Sequence, residues 1–197
     1  MLLKMKNLET KRYLLRKPEV EDAEKIYEKW GTDKDNMAQY KEHKFYRNVI
    51  EAKALISTVL RENEDGIIYW IIEEKISKEI VGYVKLPAGV IKDKKREMTF
   101  YFLKGYRTDG TPEEILKNVI DYIFTEEKYE TIITKFYAAN KQDTEFLNSI
   151  LIKIGMTREG ILRNRLINDE GKKIDKYIYS ILKEEWKLNK NNKTLAY

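Results

Sequence analysis

The sequence predicts a single α+β domain built on a mixed β-sheet. β-rich runs alternate along the chain with amphipathic helical patterns, which is typical of a sheet covered by helices. A length of 197 residues suits one domain with its own core. The content of 42% hydrophobic and 36% charged residues is typical of a soluble globular protein. We therefore expect one domain over residues 1–186 and a frayed polar tail over residues 187–197.

The first half of the chain predicts one strand, two helices and then a three-stranded meander. Hydrophobic spacing favours a helix that opens at Pro18 and a second helix over Val49–Leu60. Residues 36–47 have no clear period, and we expect them to form a loop with helical turns. The predicted strands are Thr10–Lys17, Gly66–Glu74, Glu79–Pro87 and Arg96–Leu103.

The second half predicts helix, strand, helix and a closing hairpin. Apolar residues at helical spacing follow Thr111, and a buried strand is expected over Thr131–Ala139. A further helix is predicted over Thr144–Ile154. The segments MTREGILRNRLI and KKIDKYIYSILK flank NDEG, which is a hairpin turn signal.

Composition excludes several kinds of site. The chain has no cysteine, which excludes disulfides, thiolate metal sites and cysteine nucleophiles. Its one histidine, His43, argues against a histidine metal site and a Ser-His-Asp triad. The net charge of +5 is spread among mixed signs, without the basic stripe and interleaved aromatics that nucleic-acid binding needs. Without an apolar run of signal-peptide or membrane-spanning length, we expect a cytoplasmic protein that binds no membrane.

The stretch Tyr101–Ile115 predicts a strand that passes through a turn into a helix. Such junctions hold phosphates in many α/β folds, because the amides of the helix N-terminus point outward. Against a phosphate loop, the stretch has few glycines, and Thr111-Pro112-Glu113-Glu114 has the pattern of a capping box with proline at the first helical position. The residues alone leave open a phosphate loop and a helix that caps itself.

The order and spacing of these segments resemble the GNAT acyl-CoA N-acyltransferases. Within them the chain is most similar to the branch of ribosomal-protein N-terminal acetyltransferases and small-amine acetyltransferases. LETKRYLLRKPEVEDAEKIYE resembles the opening strand and helix of that branch, and EMTFYFL resembles its fourth strand. LIKIGMTREGILRN resembles its Leu-Gly-Phe block, and the similarity covers nearly the whole chain. The resemblance implies a GNAT fold, a central twisted mixed sheet of about seven strands flanked by about four helices.

The resemblance also implies the co-substrate and its site. A primary amine would attack the thioester of acetyl-CoA directly, with no metal and no acyl-enzyme, and a backbone amide near the bulge of the fourth strand would stabilise the oxyanion. By register, the backbone of Phe102 and Leu103 would bind the pantetheine arm. The pyrophosphate signature Arg/Gln-x-x-Gly-x-Gly/Ala falls on Arg107, Thr108, Asp109, Gly110, Thr111 and Pro112. Because proline lacks an amide, we expect Pro112 to weaken CoA binding roughly 10- to 100-fold.

The catalytic candidates follow from the same resemblance. Glu97 holds the position of a glutamate that deprotonates the incoming ammonium, and the alternative is a solvated charge at a strand end. The usual Asn-x-x-Ser pair, which binds the cofactor and supplies a proton donor, is replaced by Thr144 and Leu147. The substitutes that we consider are Asn140, Tyr137 and Ser149, and the last two are equally compatible with an ordinary strand residue and a helix-surface residue. His43, Tyr40, Phe45, Tyr46 and Trp70 are candidates to line the amine site, or else surface and core residues.

Two functions are therefore compatible with the sequence. The first is an acetyl-CoA-dependent N-acetyltransferase that acts on a protein N-terminus or on a small-molecule amine. The alternative is a GNAT-fold binding protein whose altered loop supports little or no acetyl transfer. A homodimer is possible in either case, since dimers are common in this branch.

Overall fold

The computed structural model describes residues 5–31, 48–62, 66–168 and 170–194, and it confirms a mixed α+β architecture. Within these residues the strands are β1 (Leu8–Glu9), β2 (Tyr13–Arg16), β3 (Ile68–Glu74), β4 (Ile80–Leu86), β5 (Lys95–Glu97), β6 (Thr99–Phe102), β7 (Thr131–Tyr137), β8 (Thr157–Ile167) and β9 (Lys173–Leu182). The α-helices are α1 (Asp22–Ile26), α2 (Val49–Glu62), α3 (Thr111–Tyr122), α4 (Lys141–Lys153) and α5 (Lys183–Thr194). α1 and α3 each run on into a π-helical turn, Tyr27–Gly31 and Ile123–Glu127. None of the described helices is long and apolar enough to cross a membrane.

The strands form two sheets that meet at the junction of β5 and β6. The first sheet has the order β1-β2-β3-β4-β6 and is antiparallel throughout. The second has the order β5-β7-β9-β8, in which only β5 and β7 run parallel. The two strands β5 and β6 are consecutive in the chain, so a single extended segment belongs to both sheets.

Two hydrophobic clusters cover opposite faces of the sheets. The larger packs the apolar side of α3 and α4 on the sheet and is built from residues such as Phe100, Phe102, Leu116 and Phe136. The smaller packs α1 and α2 on the other face and includes Ala23, Ile56, Tyr83 and Tyr101. Alternation along β6 therefore sends Phe100 and Phe102 to one face and Tyr101 to the other.

The prediction of one continuous strand over Arg96–Leu103 is wrong, because the strand changes partner at Met98. The Met98 amide donates to the Ile133 carbonyl of β7 at 2.9 Å, and this is the last backbone–backbone bond to β7. The Met98 carbonyl accepts from the Thr134 hydroxyl at 3.0 Å, where the parallel ladder would supply a backbone amide. A side chain therefore ends the ladder, and β6 pairs with β4 from Thr99 onward.

The helix boundaries differ from the sequence predictions at three places that affect the description below. α1 begins at Asp22 and not at Pro18, because the Asp22 carboxylate accepts the Glu19 amide at 2.7 Å and two guanidinium bonds from Arg16 at 2.8 Å. α4 begins three residues earlier than predicted, after Asn140, which caps it. The segment predicted to fray continues as α5 to Thr194. His43, Tyr40, Phe45 and Tyr46 lie outside the described residues.

Candidate active site

An opening between β6 and β7 begins where the two strands part. The Leu103 amide donates to the Val81 carbonyl at 2.9 Å, which makes this pair and every second pair of β4 and β6 the hydrogen-bonded ones. The intervening residues, Phe100 and Phe102, therefore direct their amides and carbonyls away from β4 and toward β7. β7 no longer reaches them, so this row of backbone groups borders the opening.

Leu103 does not offer its backbone to the opening. Its amide is bonded to Val81, and its carbonyl accepts from the Tyr106 amide at 2.9 Å. Of the two residues predicted to bind the pantetheine arm, Phe102 borders the opening. Phe100, two residues earlier on the same side of β6, borders it as well. The Leu103 amide and carbonyl are therefore both bonded within the protein, and Phe100 is the second residue of β6 whose backbone borders the opening.

Glu97 and Lys135 form an ion pair beside the point where the strands part. The Lys135 ammonium lies 2.8 Å from the Glu97 carboxylate, and each side chain is about one third exposed. Tyr137 follows on the same face of β7, with the Lys176 ammonium 5.1 Å from its ring centroid. This face is opposite to the one that packs on α3 and α4, so a molecule that reaches Glu97 comes from the side of α1 and α2.

The start of α3 is not capped by its own side chains, so the predicted capping box is wrong. The N-cap is Gly110, with φ +72° and no side-chain cap bond. The Thr111 hydroxyl lies 2.8 Å from the Tyr13 hydroxyl, across the core. The Glu114 carboxylate accepts from the Arg12 amide at 3.0 Å and from the Arg12 Nε at 2.8 Å. Tertiary partners have taken both groups that a capping box would use.

The amides of the loop just before this helix therefore remain available to a ligand, whereas the Thr111 amide donates to the Thr108 carbonyl at 3.2 Å. Asp109 and Gly110 both have positive φ, which turns successive amides outward as in an anion-binding nest. Within the described part of the chain, no hydrogen bond uses the amides of Thr108, Asp109 and Gly110. Pro112 is buried at the second helical position and contributes no amide, as the sequence indicates.

A cavity of about 160 Å³ lies in front of these amides, between the loop and α4. It is lined by Arg107, Thr108, Asp109, Gly110, Glu113, Phe146, Ser149, Ile150 and Lys153. Glu113 brings a carboxylate into the first turn of α3, where it is unfavourable to an anionic ligand. The Lys153 ammonium lies 3.4 Å from it and offsets that charge. The cavity thus combines backbone donors with one lysine and one glutamate.

Arg107, which lines the cavity, and Asn140, at the start of α4, are both bound within the protein. The Arg107 side chain pairs with the buried Asp143 of α4 and is only 10% exposed. Asn140 caps α4 by accepting the Asp143 amide at 2.8 Å. Thr144, which stands at the usual asparagine position, donates its hydroxyl to the Asn140 carbonyl at 2.6 Å.

The remaining predicted residues separate into different parts of the molecule. Ser149 lines the cavity at the loop, whereas Tyr137 and Glu97 share the open face of the second sheet. Of the two interpretations of Trp70, the structure supports a core residue, because Trp70 is fully buried and its Nε1 donates to the Lys6 carbonyl at 2.8 Å. No group of three or more potential metal ligands occurs among the described residues.

Sequence reasoning missed Lys135, Asp143 and Phe146. Asp143 stands three residues after Asn140, a spacing that signals a helix start and could have moved α4 to its true beginning. Lys135 lies opposite Glu97 only because β5 is parallel to β7, and the sequence does not reveal that pairing. The pattern of a self-capping helix is one argument for a binding protein without acetyl transfer, and the uncapped start of α3 removes that argument.

Comparisons with known proteins agree with this architecture. Residues 12–157 match the family model described as an acetyltransferase (GNAT) domain. One relative, described as the uncharacterized N-acetyltransferase YoaA of Bacillus subtilis (strain 168), is 28% identical over 178 residues, which cover 89% of this chain and 96% of the relative.

Two solved structures share the fold. Ribosomal-protein-S5-alanine acetyltransferase from Vibrio fischeri is 16% identical with a TM-score of 0.76, over 92% of this chain and 99% of that one. Spermidine N-acetyltransferase from Vibrio cholerae, in complex with CoA and spermine, is 17% identical with a TM-score of 0.73, over 89% of this chain and 98% of that one. The match of the family model over most of the chain, together with its N-acetyltransferase relatives, shows that the protein belongs to the GNAT family and is an N-acetyltransferase that uses acetyl-CoA.

Proposed function

We propose that the protein transfers the acetyl group to a primary amine by direct attack, with acetyl-CoA seated along the opening between β6 and β7. The observation that carries the proposal is that β6, which borders the opening from Met98 onward, is followed after one short turn by the uncapped start of α3. Pyrophosphate suits the amides of Thr108, Asp109 and Gly110, since helix N-termini and nests favour anions. The pantetheine arm then lies along the backbone of Phe100 and Phe102.

The Phe100 amide is the group that we assign to the oxyanion. It is the first amide directed toward the opening after Met98, whose own amide is used by β7. A donor fixed by a strand costs no reorganisation when the carbonyl oxygen becomes charged, which is how oxyanion holes lower the barrier. Because this donor is a backbone amide, it does not depend on the identity of any side chain.

Glu97 and Tyr137 are the groups that we assign to proton transfer. Glu97 receives a proton from the incoming ammonium, directly or through one water, so that the neutral amine attacks the thioester, and Lys135 holds the Glu97 carboxylate in place. Tyr137 stands on the β7 wall of the opening and donates a proton to the leaving thiolate. Ser149 lines the phosphate end of the site and is the weaker candidate for that step. Asn140, which caps α4, supports the site without contacting the thioester.

The acceptor that we propose is a primary amine of a protein N-terminus or of a small molecule. Two proteins of the same fold are named for acceptors of both classes, a ribosomal protein and spermidine. An α-amine with a pKa of about 8 needs less help from a base than an alkyl amine with a pKa of about 10. A dependence of turnover on Glu97 therefore points to an alkyl amine.

The proposal is tested by calorimetry and by an acetylation assay. We expect acetyl-CoA to bind at micromolar concentration, and a panel of N-terminal peptides and polyamines to contain an acceptor that gains one acetyl group by mass spectrometry. Initial rates should show sequential rather than ping-pong kinetics, because no acyl-enzyme forms. Absence of binding at millimolar acetyl-CoA would refute the proposed site, and ping-pong kinetics would refute direct attack.

A further inference from the structure

Arg107 has the sequence position of a phosphate ligand, but its side chain is already bound on three sides. Nε donates to the Phe102 carbonyl at 3.1 Å, and Nη1 pairs with the Asp143 carboxylate. The guanidinium also lies over the Phe146 ring, 4.9 Å from its centroid. Only about a tenth of the side chain is exposed, so its positive charge is neutralised and largely shielded.

Asp143 is held as firmly as its partner. The carboxylate is 4% exposed, and its second oxygen accepts from Asn140 Nδ2 at 2.7 Å. The Asp143 amide donates back to Asn140 Oδ1 at 2.8 Å. A continuous set of bonds therefore runs from the end of β6, through Arg107 and Asp143, to the N-cap of α4.

This set of bonds joins the two sides of the opening. Phe102 ends β6 on one side, whereas α4 follows β7 on the other, and no backbone ladder connects β6 to β7 beyond Met98. The planar guanidinium is suited to this task because it donates in two directions at fixed angles, which a lysine ammonium does not do.

We propose that the Arg107–Asp143 pair is a brace that sets the separation of β6 and α4, and that Arg107 acts on the cofactor through this separation and not by contact with its phosphates. Arg107, Asp143 and Asn140 are thus positioning residues. The inference rests on the proposed cofactor site, because the separation matters only if the pantetheine arm lies between the two elements.

The two roles of Arg107 predict opposite effects of one substitution. If Arg107 contacts phosphate, Asp143→Asn releases the guanidinium and tightens acetyl-CoA binding. If the pair is a brace, Asp143→Asn weakens binding by about tenfold, as Arg107→Gln does, because one charged hydrogen bond is lost in each. The double variant should bind within about threefold of either single variant, since both remove the same pair.

The experiment is calorimetric titration of acetyl-CoA into the wild type, Arg107→Gln, Asp143→Asn and the double variant, each well below its melting temperature. Arg107→Lys should not restore affinity, because lysine does not hold the Phe102 carbonyl and Asp143 together. Lys141→Gln, an exposed charge beside Asn140, is the matched control and should bind as the wild type does. Asn140→Ser keeps the helix cap but removes the amide bond to Asp143, and it should weaken binding if Asp143→Asn does not fold.

Several results would overturn the brace. Tighter binding by Asp143→Asn or rescue by Arg107→Lys would make Arg107 a phosphate ligand. Additive losses in the double variant would show two independent roles. Unchanged affinity together with a lower melting temperature would mean that the Arg107–Asp143 pair stabilises the fold without affecting acetyl-CoA binding. Failure of the wild type itself to bind would instead refute the proposed function, which keeps the two failures distinguishable.

Discussion

At the scale of single residues, the proposed cofactor site combines backbone donors that favour an anion with one carboxylate that opposes it. The amides of Thr108, Asp109 and Gly110 favour an anion, and the Glu113 carboxylate opposes it. The Lys153 ammonium lies 3.4 Å from the Glu113 carboxylate and weakens its repulsion of an anion. It does not remove that repulsion, because both side chains remain in contact with water.

Glu113→Gln should therefore tighten acetyl-CoA binding by about two- to fivefold at low ionic strength, which corresponds to one charge at a helix N-terminus. The gain should shrink as salt is added, since the charge is partly exposed. Calorimetry checks it, with Glu145→Gln on the outer side of α4 as the control. Weaker binding by Glu113→Gln would mean that the phosphates do not approach this turn.

Glu97→Gln is expected to separate catalysis from cofactor binding. The carboxylate lies beside the start of the opening and pairs with Lys135, away from the amides of the loop. We expect kcat with an alkyl amine to fall by about 10²- to 10⁴-fold, as for loss of a general base, with the Kd of acetyl-CoA nearly unchanged. An unchanged kcat would make Glu97 a solvated charge at a strand end.

At the scale of elements, the sequence predicted the main strands and helices other than α5, but not what ends or caps them. The strand over Arg96–Leu103 has no local signal at Met98, because the break is caused by the Thr134 hydroxyl from another strand. Thr111 and Glu114 match a capping box locally, yet Tyr13 and Arg12 bind them. Partners that are remote in the chain cannot be read from local spacing.

The tie between α3 and the β1–β2 turn should make stability depend on pH through Glu114. Burial raises the pKa of the Glu114 carboxyl group, but hydrogen bonds from Thr10 and Arg12 lower it by more. The pKa of Glu114 is therefore below its usual value. A lowered folded-state pKa contributes stability that is present above the unfolded-state pKa and lost as pH falls through the folded-state pKa. The wild type should thus exceed Glu114→Gln most at neutral pH.

Urea unfolding of the wild type and Glu114→Gln from neutral pH to about pH 3 measures this difference, which should shrink toward the acid end. Glu126→Gln removes an exposed ion pair with Lys6 and serves as the control, with little difference at any pH. A difference between the wild type and Glu114→Gln that grows as pH falls would contradict the assigned sign.

At the scale of the whole molecule, a buried ion pair connects the β5–β7 edge to the end of α3. The Arg96 and Glu127 side chains are 2% and 3% exposed and lie 3.3 Å apart. Arg96 also donates to the Gly66 carbonyl at 3.2 Å, next to the start of β3. The two sheets and the helix that precedes β7 therefore depend on one another at this point.

Arg96→Met should reduce the free energy of unfolding by about 3–5 kcal/mol, because it leaves the Glu127 carboxylate buried without its partner. Joint replacement by Arg96→Met and Glu127→Leu should recover most of that loss, since no charge then remains buried. Urea unfolding measures both variants. Equal losses in the single and double variants would mean that packing around Arg96 matters more than its charge.

The sequence predicts most of the architecture, because the fold depends on the order of apolar patterns along the chain. It predicts only part of the candidate site. The loop position, Gly110 and the missing amide of Pro112 follow from the sequence. The Glu97–Lys135 pair, the Arg107–Asp143 pair and the available amides depend on how β5, β6 and α4 come together. The polar C-terminal residues, which the sequence predicts to fray, instead form α5. Trp186 and Lys190 of this helix both bind the Asp121 carboxylate of α3.

Amide chemical shifts measured during a CoA titration test directly whether acetyl-CoA lies from the loop at Thr108–Gly110 along β6. We expect the largest shifts at Thr108, Asp109, Gly110, Phe100 and Phe102, with no shift at Leu103 of similar size because its amide is bound to Val81. Largest shifts instead around Ile120, Ile181 and Trp186, which line the separate cavity of about 190 Å³ between α3 and α5, would contradict it.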